Sequence, residues 1–257
     1  MSSSVQPGRV MLVGAGPGPV DLMTVRALRA VQEAGALLYD ALCSEEAVAL
    51  APPGCIRIQT GKRAGKPSMT QDEINRVMLR LARRGLRVVR LKGGDPSIFG
   101  RVGEEAAFLN AYGIATEVVP GVTAASAAAA QFGFPLTHRG QARRVVFTTA
   151  RVENGAVVGD WRFGADAEAS IAIYMGGEAA PDLAKALVTA GRATSTPVAV
   201  IERAGAADAR LSTTSLGTLT SGPVPTCGGP VLIVVGEVAA LAQDQTSKAV
   251  ERLRDWA

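Results

Sequence analysis

Short apolar runs that alternate with helical periods are the feature that most limits how this chain folds. Residues 9–13, 36–39, 56–58, 87–91 and 116–119 are brief runs rich in Val, Leu and Ile. Between them Val25, Leu28 and Val31, then Ile74, Val77, Met78 and Leu81, recur at the three-to-four spacing of a buried helix face. Strand and helix in alternation predict a mainly parallel sheet covered by helices. The clearest helix opens on Thr70, which forms a capping-box pattern with Glu73, and closes at Gly85. An earlier helix is capped by Asp21 or Thr24 and stops at Gly35; a later one covers residues 104–112 and ends at Gly113.

In a parallel sheet ligands bind beyond the carboxyl ends of the strands. The unusual loops of this sequence fall on that edge: Gly14-Ala15-Gly16-Pro17-Gly18-Pro19, Asp40, the basic Gly61-Lys62-Arg63, Gly93-Gly94-Asp95 and Gly121-Val122-Thr123. Read alone, Gly93-Gly94-Asp95-Pro96 is a strand-to-helix turn with a capping Asp. Five such loops on one edge point to a site. It is a poor nicotinamide site, because Pro19 fills the third glycine position of GxGxxG and Pro17 and Pro19 lack the amide donors of a phosphate cradle.

Past residue 140 the pattern changes. Residues 145–149, 170–175, 198–202, 211–215 and 231–235 read as strands, with residues 181–190 helical. The expected organisation is an N-terminal α/β domain over residues 8–122, an Ala-rich connecting segment over 123–140, a C-terminal α/β domain with a mixed sheet over 141–243, and a helical tail over 244–257.

Composition removes several function classes. The chain has 257 residues, 47% hydrophobic and 19% charged, with a net charge of +4. These are the proportions of a globular protein. Aromatics at 4% and their separation from Lys and Arg argue against base-stacking surfaces. One histidine, His138, leaves no His-based metal cluster, and no metal is expected. Cys43, Cys55 and Cys227 are scattered, which suits a reducing compartment. The N-terminus has no charged region followed by an apolar core, so a cytoplasmic location is expected. The length is expected to hold no added dehydrogenase or ferrochelatase domain.

The stretches VGAGPGPVDLMTVRALR, LLYDALC, TGKRAGK, VVRLKGGDPSIFGRVGEEA, EVVPGVTAASAAAA, PLTHRG, IYMG and PVAVIERA together resemble the tetrapyrrole methyltransferase family, from about Val10 to Val238. The resemblance implies two α/β domains with S-adenosylmethionine bound in the cleft between them, and a homodimer. It places cofactor contacts on Pro17, Gly93, Gly94, Asp95, Ile98, Thr123, Ala124, Met175 and Ala204, and an acid/base pair on Asp40 and Lys62. It implies two methyl transfers, to rings A and B of uroporphyrinogen III, giving precorrin-2, from which cobalamin, sirohaem and haem d1 branch. Cys43 stands where valine is usual, Val102 where glycine is common, and Thr149-Ala150 where Gly-His is often seen.

Such a substrate carries carboxylates around its rim and calls for cations in the motif loops. Arg63, Arg101 and Arg139 qualify, with Lys62 and His138 beside them. An Arg–carboxylate contact at about 4 Å is worth roughly 4 kcal/mol of attraction at an intermediate dielectric, before desolvation. After methylation the macrocycle must lose a proton, and Asp40 at a strand end is the better candidate base. Two alternatives stand beside this reading: a methyltransferase of a later precorrin, and, from another class, a dinucleotide-binding oxidoreductase or regulatory protein.

Overall fold

Side chains alternate across a strand, and β1 (Val10–Gly14) shows the consequence. Met11 and Val13 enter one core, Val10 and Leu12 the other, and all four are buried. The computed structural model describes residues 8–61, 68–150, 152–153, 156–222 and 224–243. The tail helix expected over 244–257 therefore lies outside the described residues, as do Lys62 and Arg63. The chain divides into two compact units, Met1–Thr123 and Ala124–Ala257.

In chain order the first unit runs β1, α1 (Val25–Gln32), β2 (Ala36–Tyr39), α2 (Glu45–Ala49), β3 (Ile56–Gln59), α3 (Gln71–Arg83), β4 (Val88–Lys92), α4 (Val102–Ala111) and β5 (Thr116–Val119). Its five strands form one wholly parallel sheet in the order β3-β2-β4-β1-β5. Helices α1 and α2 cover one face through Ala27, Ala30, Val31 and Ala47; α3 and α4 cover the other through Ile74, Met78, Leu81 and Leu109. The order reverses between β4 and β1, the crevice where such sheets take ligands.

Local chemistry accounts for the helix ends. Thr24, not Asp21, caps α1 by accepting from the Ala27 N–H at 3.1 Å. Thr70 and Glu73 close the capping box of α3 in both directions, at 3.3 and 2.7 Å. Two sequence expectations change. Helix α1 turns Val25 outward, 62% exposed, and buries Val31 as expected together with the small Ala27 and Ala30, which let it lie close to the sheet. The apolar run at 56–58 reads as a buried strand, but β3 is the sheet edge and its Ile56 and Arg57 lie exposed.

The second unit begins with α5 (Ala124–Gln131), the Ala-rich segment, whose Ala125 and Ala128 pack with Phe132 and Phe134 on the second sheet. It continues through β6 (Arg144–Thr149), a small antiparallel pair β7 (Val152–Glu153) and β8 (Ala156–Val157), β9 (Ala169–Tyr174), α6 (Ala180–Thr189), β10 (Pro197–Glu202), β11 (Arg210–Ser215), α7 (Leu216–Leu219) and β12 (Val231–Val235). The main sheet, ordered β11-β10-β12-β9-β6, is mixed: β6 runs parallel to β9, and the other three pairings are antiparallel. Two α/β domains, one parallel and one mixed, are thus present as the sequence predicts. No helix among the described residues is long and apolar enough to cross a membrane.

Candidate functional site

Four loops meet at the carboxyl edge of the first sheet. Gly94 N–H donates to the Gly16 carbonyl at 2.7 Å, and Gly16 N–H returns the bond at 3.2 Å. This pairs the loop after β4 with the Gly-Pro loop after β1 and sets Pro17 beside Gly94. Gly94 has φ +68°, a conformation that favours glycine. Gly121, after β5, comes so near that a Cβ on it would stand 2.3 Å from the Gly94 carbonyl oxygen. A side chain at Gly121 would force the loops apart.

Asp95 fastens this arrangement. One carboxylate oxygen accepts from the Gly121 N–H at 2.9 Å; the other accepts from the Ser97 N–H at 2.7 Å and from the Ser97 hydroxyl. Ile98 N–H donates to the Asp95 carbonyl at 3.1 Å. Asp95 therefore closes the turn at Ser97 and caps no helix, since α4 begins at Val102 behind Arg101, and the same group bridges to a loop 26 residues away.

Asp40 leaves the end of β2 and reaches the same turn. Its carboxylate accepts from the Gly93 N–H at 3.3 Å, the Leu42 N–H at 3.0 Å and the Cys43 thiol at 3.4 Å. Burial, reinforced by the neighbouring Asp40 carboxylate, pushes the Cys43 thiol well above its ordinary range, so it stays protonated and a donor. The structure thus brings Asp40, Pro17, Gly93, Gly94, Asp95 and Ile98 together, with the Thr123 Cα 3.9 Å from where a Gly94 Cβ would be.

Behind them lies a charged cluster that the sequence reading missed. Lys92, the last residue of β4, places Nζ 2.8 Å from Glu105 Oε1, and Arg90 Nε is 3.3 Å from the same atom. Gln71 Nε2 adds a hydrogen bond at 3.1 Å. Glu105 is 0% exposed and both cations are buried. Burial and the nearby Arg90 push the pKa of the Lys92 ammonium below its ordinary value, while Glu105 and Asp40 oppose that shift. A signal was available: Arg90 and Lys92 are two apart on a buried strand, hence on one face, and require an acid opposite.

The motif residues 97–101 form a tight turn. Phe99 and Arg101 hold positive φ, 55° and 57°, and Phe99 remains 43% exposed. Arg101 is drawn to Glu104 by two hydrogen bonds, 2.9 and 2.7 Å, on the exposed first turn of α4. In the second unit the remaining non-glycine positive φ values among the described residues are at Met175, 57°, and Arg203, 55°. They fall on and next to the predicted Met175 and Ala204. Met175 is 67% exposed although apolar. Ala124 opens α5, and the next residue donates its N–H to the Tyr174 hydroxyl at 3.3 Å. His138 and Arg139 lie exposed in a turn closed by the His138–Ala142 bridge, with His138 Nδ1 2.9 Å from the Arg139 carbonyl oxygen. No group of three metal-ligating side chains occurs among the described residues.

The family described as Tetrapyrrole (Corrin/Porphyrin) Methylases matches residues 9–220. A siroheme synthase of Chromobacterium violaceum is 46% identical over 239 residues, which are 91% of this chain and 50% of that protein. The chain therefore spans about half the length of the curated relatives it matches. Among solved structures, uroporphyrin-III C-methyl transferase from Thermus thermophilus complexed with S-adenyl homocysteine superposes with a TM-score of 0.76 at 40% identity, covering 90% of this chain and 93% of that one. A cobalt precorrin-4 methyltransferase gives a TM-score of 0.77 at 30% identity, covering 90% and 95%.

Proposed function

The chain belongs to the tetrapyrrole (corrin/porphyrin) methylase family, and from that premise we propose that it methylates uroporphyrinogen III twice, on rings A and B, to give precorrin-2 by way of precorrin-1, with S-adenosylmethionine as methyl donor. The observation that carries the reading is the loop cluster in which Asp40, Gly93, Gly94 and Asp95 are tied together at the carboxyl edge of a parallel sheet. The higher identity to the uroporphyrin-III enzyme than to the cobalt precorrin-4 enzyme, 40% against 30%, favours this substrate over a later precorrin.

The residues suit the cofactor. In the first unit Pro17, Gly93, Gly94, Asp95, Ile98 and Thr123 offer close backbone approach, Asp95 while its carboxylate holds the turn. In the second unit Ala124, Met175 and Ala204 do the same, and exposed Met175 adds apolar surface of the kind a thioether or adenine needs. When bound, S-adenosylmethionine supplies an electrophilic methyl for in-line displacement by a pyrrole carbon.

The chain's own work is positioning and proton removal. Asp40, fixed by three donors, is the proposed base, with Lys62 its partner in the acid/base pair. Arg101, His138 and Arg139, with Arg63, are the proposed holders of rim carboxylates. Arg101 exchanges its exposed Glu104 for such a carboxylate at small cost, since exposed ion pairs are worth about 0–1 kcal/mol. The assembly is proposed to be a homodimer, which sedimentation velocity measures directly. Incubation with uroporphyrinogen III and methyl-labelled S-adenosylmethionine tests the activity. Two labels per macrocycle are expected. No incorporation overturns the reading, and incorporation only into a later precorrin replaces the substrate.

A further inference from the structure

Helix α5 consists of small residues until Gln131, its last. The alanines let it lie against the second sheet, and the single long polar side chain reaches from its end to a turn more than seventy residues away. Gln131 Nε2 donates to the Ala206 carbonyl at 2.9 Å, and its Oε1 accepts from the Gly205 N–H, also at 2.9 Å. A side-chain amide here pairs with a peptide as one strand pairs with another. Only a neutral group with one donor and one acceptor in that plane makes both bonds.

The turn so held is not relaxed backbone. Arg203 has φ 55° and Gly205 φ 89°, with Ala204 between them. From the strand side Glu202, buried, accepts from the N–H groups of Cys227 and Gly229 at 2.9 and 2.7 Å and fixes the end of β10. The other end of α5 is tied as well: the Ala125 N–H donates to the hydroxyl of Tyr174, directly before Met175 with its φ of 57°. Both non-glycine left-handed residues described in this unit are thereby anchored to one helix, at its opposite ends. Left-handed non-glycine backbone persists where surrounding structure over-determines it, and it concentrates at ligand clamps.

We propose that α5 is a strut setting the positions of the Met175 and Ala204 turns, and that Gln131 is a positioning residue for the cofactor. It acts through the backbone of residues 203–206 and touches no reacting atom. The inference rests on the reading of this chain as an S-adenosylmethionine-dependent enzyme, and its test separates the two.

S-adenosylhomocysteine is titrated calorimetrically into the wild-type chain, Gln131→Met and Gln131→Glu. The KM for S-adenosylmethionine, the KM for uroporphyrinogen III and kcat are measured alongside. Gln131→Met keeps the length and loses both bonds; its Kd for S-adenosylhomocysteine and KM for S-adenosylmethionine are expected to rise roughly tenfold, on the order of one net hydrogen bond. Gln131→Glu keeps the acceptor but sets a carboxylate oxygen against the Ala206 carbonyl, and is expected to lose at least as much. In both, kcat and the KM for the tetrapyrrole stay within about twofold of wild type, a split that uniform binding loss produces and loss of folded protein does not. Wild-type affinity in a folded Gln131→Met overturns the proposal, as does a fall in kcat with an unmoved cofactor KM. If Gln131→Met does not accumulate folded, Gln131→Glu decides alone, and wild-type affinity there overturns the proposal. A wild-type chain that binds no S-adenosylhomocysteine overturns the functional reading beneath it.

Discussion

Asp40 combines two duties that a single substitution separates. Its carboxylate holds the turn through Gly93 and Leu42, and in the proposed reaction it also takes a proton. Asn at this position keeps one acceptor oxygen, which serves either the Leu42 or the Gly93 N–H, and removes the base. Asp40→Asn is therefore expected to lower turnover about 10²–10⁴-fold, the usual contribution of general base catalysis, with S-adenosylhomocysteine affinity retained by calorimetry. Unchanged turnover reduces Asp40 to a turn former. At this scale the sequence was informative where a residue sits in a conspicuous loop and silent where its partner is distant. Asp40 stood out by its place at a strand end, but nothing local links it to the Cys43 thiol and the Gly93 amide at once. Gln131 had no local signal beyond being polar after a run of alanines, because its partners lie some 75 residues on.

Elements were more legible than residues, since periodicity and caps are local. Strands β5 and β12 occupy the residues that the apolar runs mark, and α3 starts on its capping box. Glu73 lets that box be tested by pH. Hydrogen bonds from the Thr70 backbone and hydroxyl hold the Glu73 carboxyl below its ordinary range. A carboxyl whose folded value is depressed contributes stability above its unfolded value and loses it as pH falls through the folded one. Thr70→Ala removes the N-cap and should cost about 1 kcal/mol near pH 7; in urea unfolding the gap from wild type should narrow below the carboxylate range. Helix α4 and strand β4 carry a heavier dependence. Deleting the acid in Glu105→Ala leaves Arg90 and Lys92 buried beside each other, and breaking buried ion pairs this way costs about 3–5 kcal/mol. Urea midpoints measure it, and a loss under 1 kcal/mol would mean that water reaches the cations. What stayed hidden was order: β3-β2-β4-β1-β5 follows from long-range packing, and so does the edge position that leaves β3 exposed.

For the whole molecule, each unit carries a sheet with a core on both faces, so each has the means to stand as a folded body. A ligand that binds only the native chain adds to its stability by mass action, about 2.7 kcal/mol at a hundred times its Kd. S-adenosylhomocysteine at that ratio should raise the unfolding midpoint in a thermal scan, and NAD at equal concentration should not. The reverse result would favour the nucleotide-binding alternative. The fold class was readable because alternation of strands and helices dictates it, whereas the division of labour between units was not. Heat-resistance engineering meets a trap in the left-handed residues Phe99, Arg101, Met175 and Arg203. Each carries about 1–2 kcal/mol of backbone penalty that glycine would relieve, less the roughly 0.5–1 kcal/mol of extra unfolded-chain entropy. A screen that ranks variants by melting temperature would therefore promote glycine at the positions that shape the proposed ligand turns, and its hardiest products would be poor enzymes.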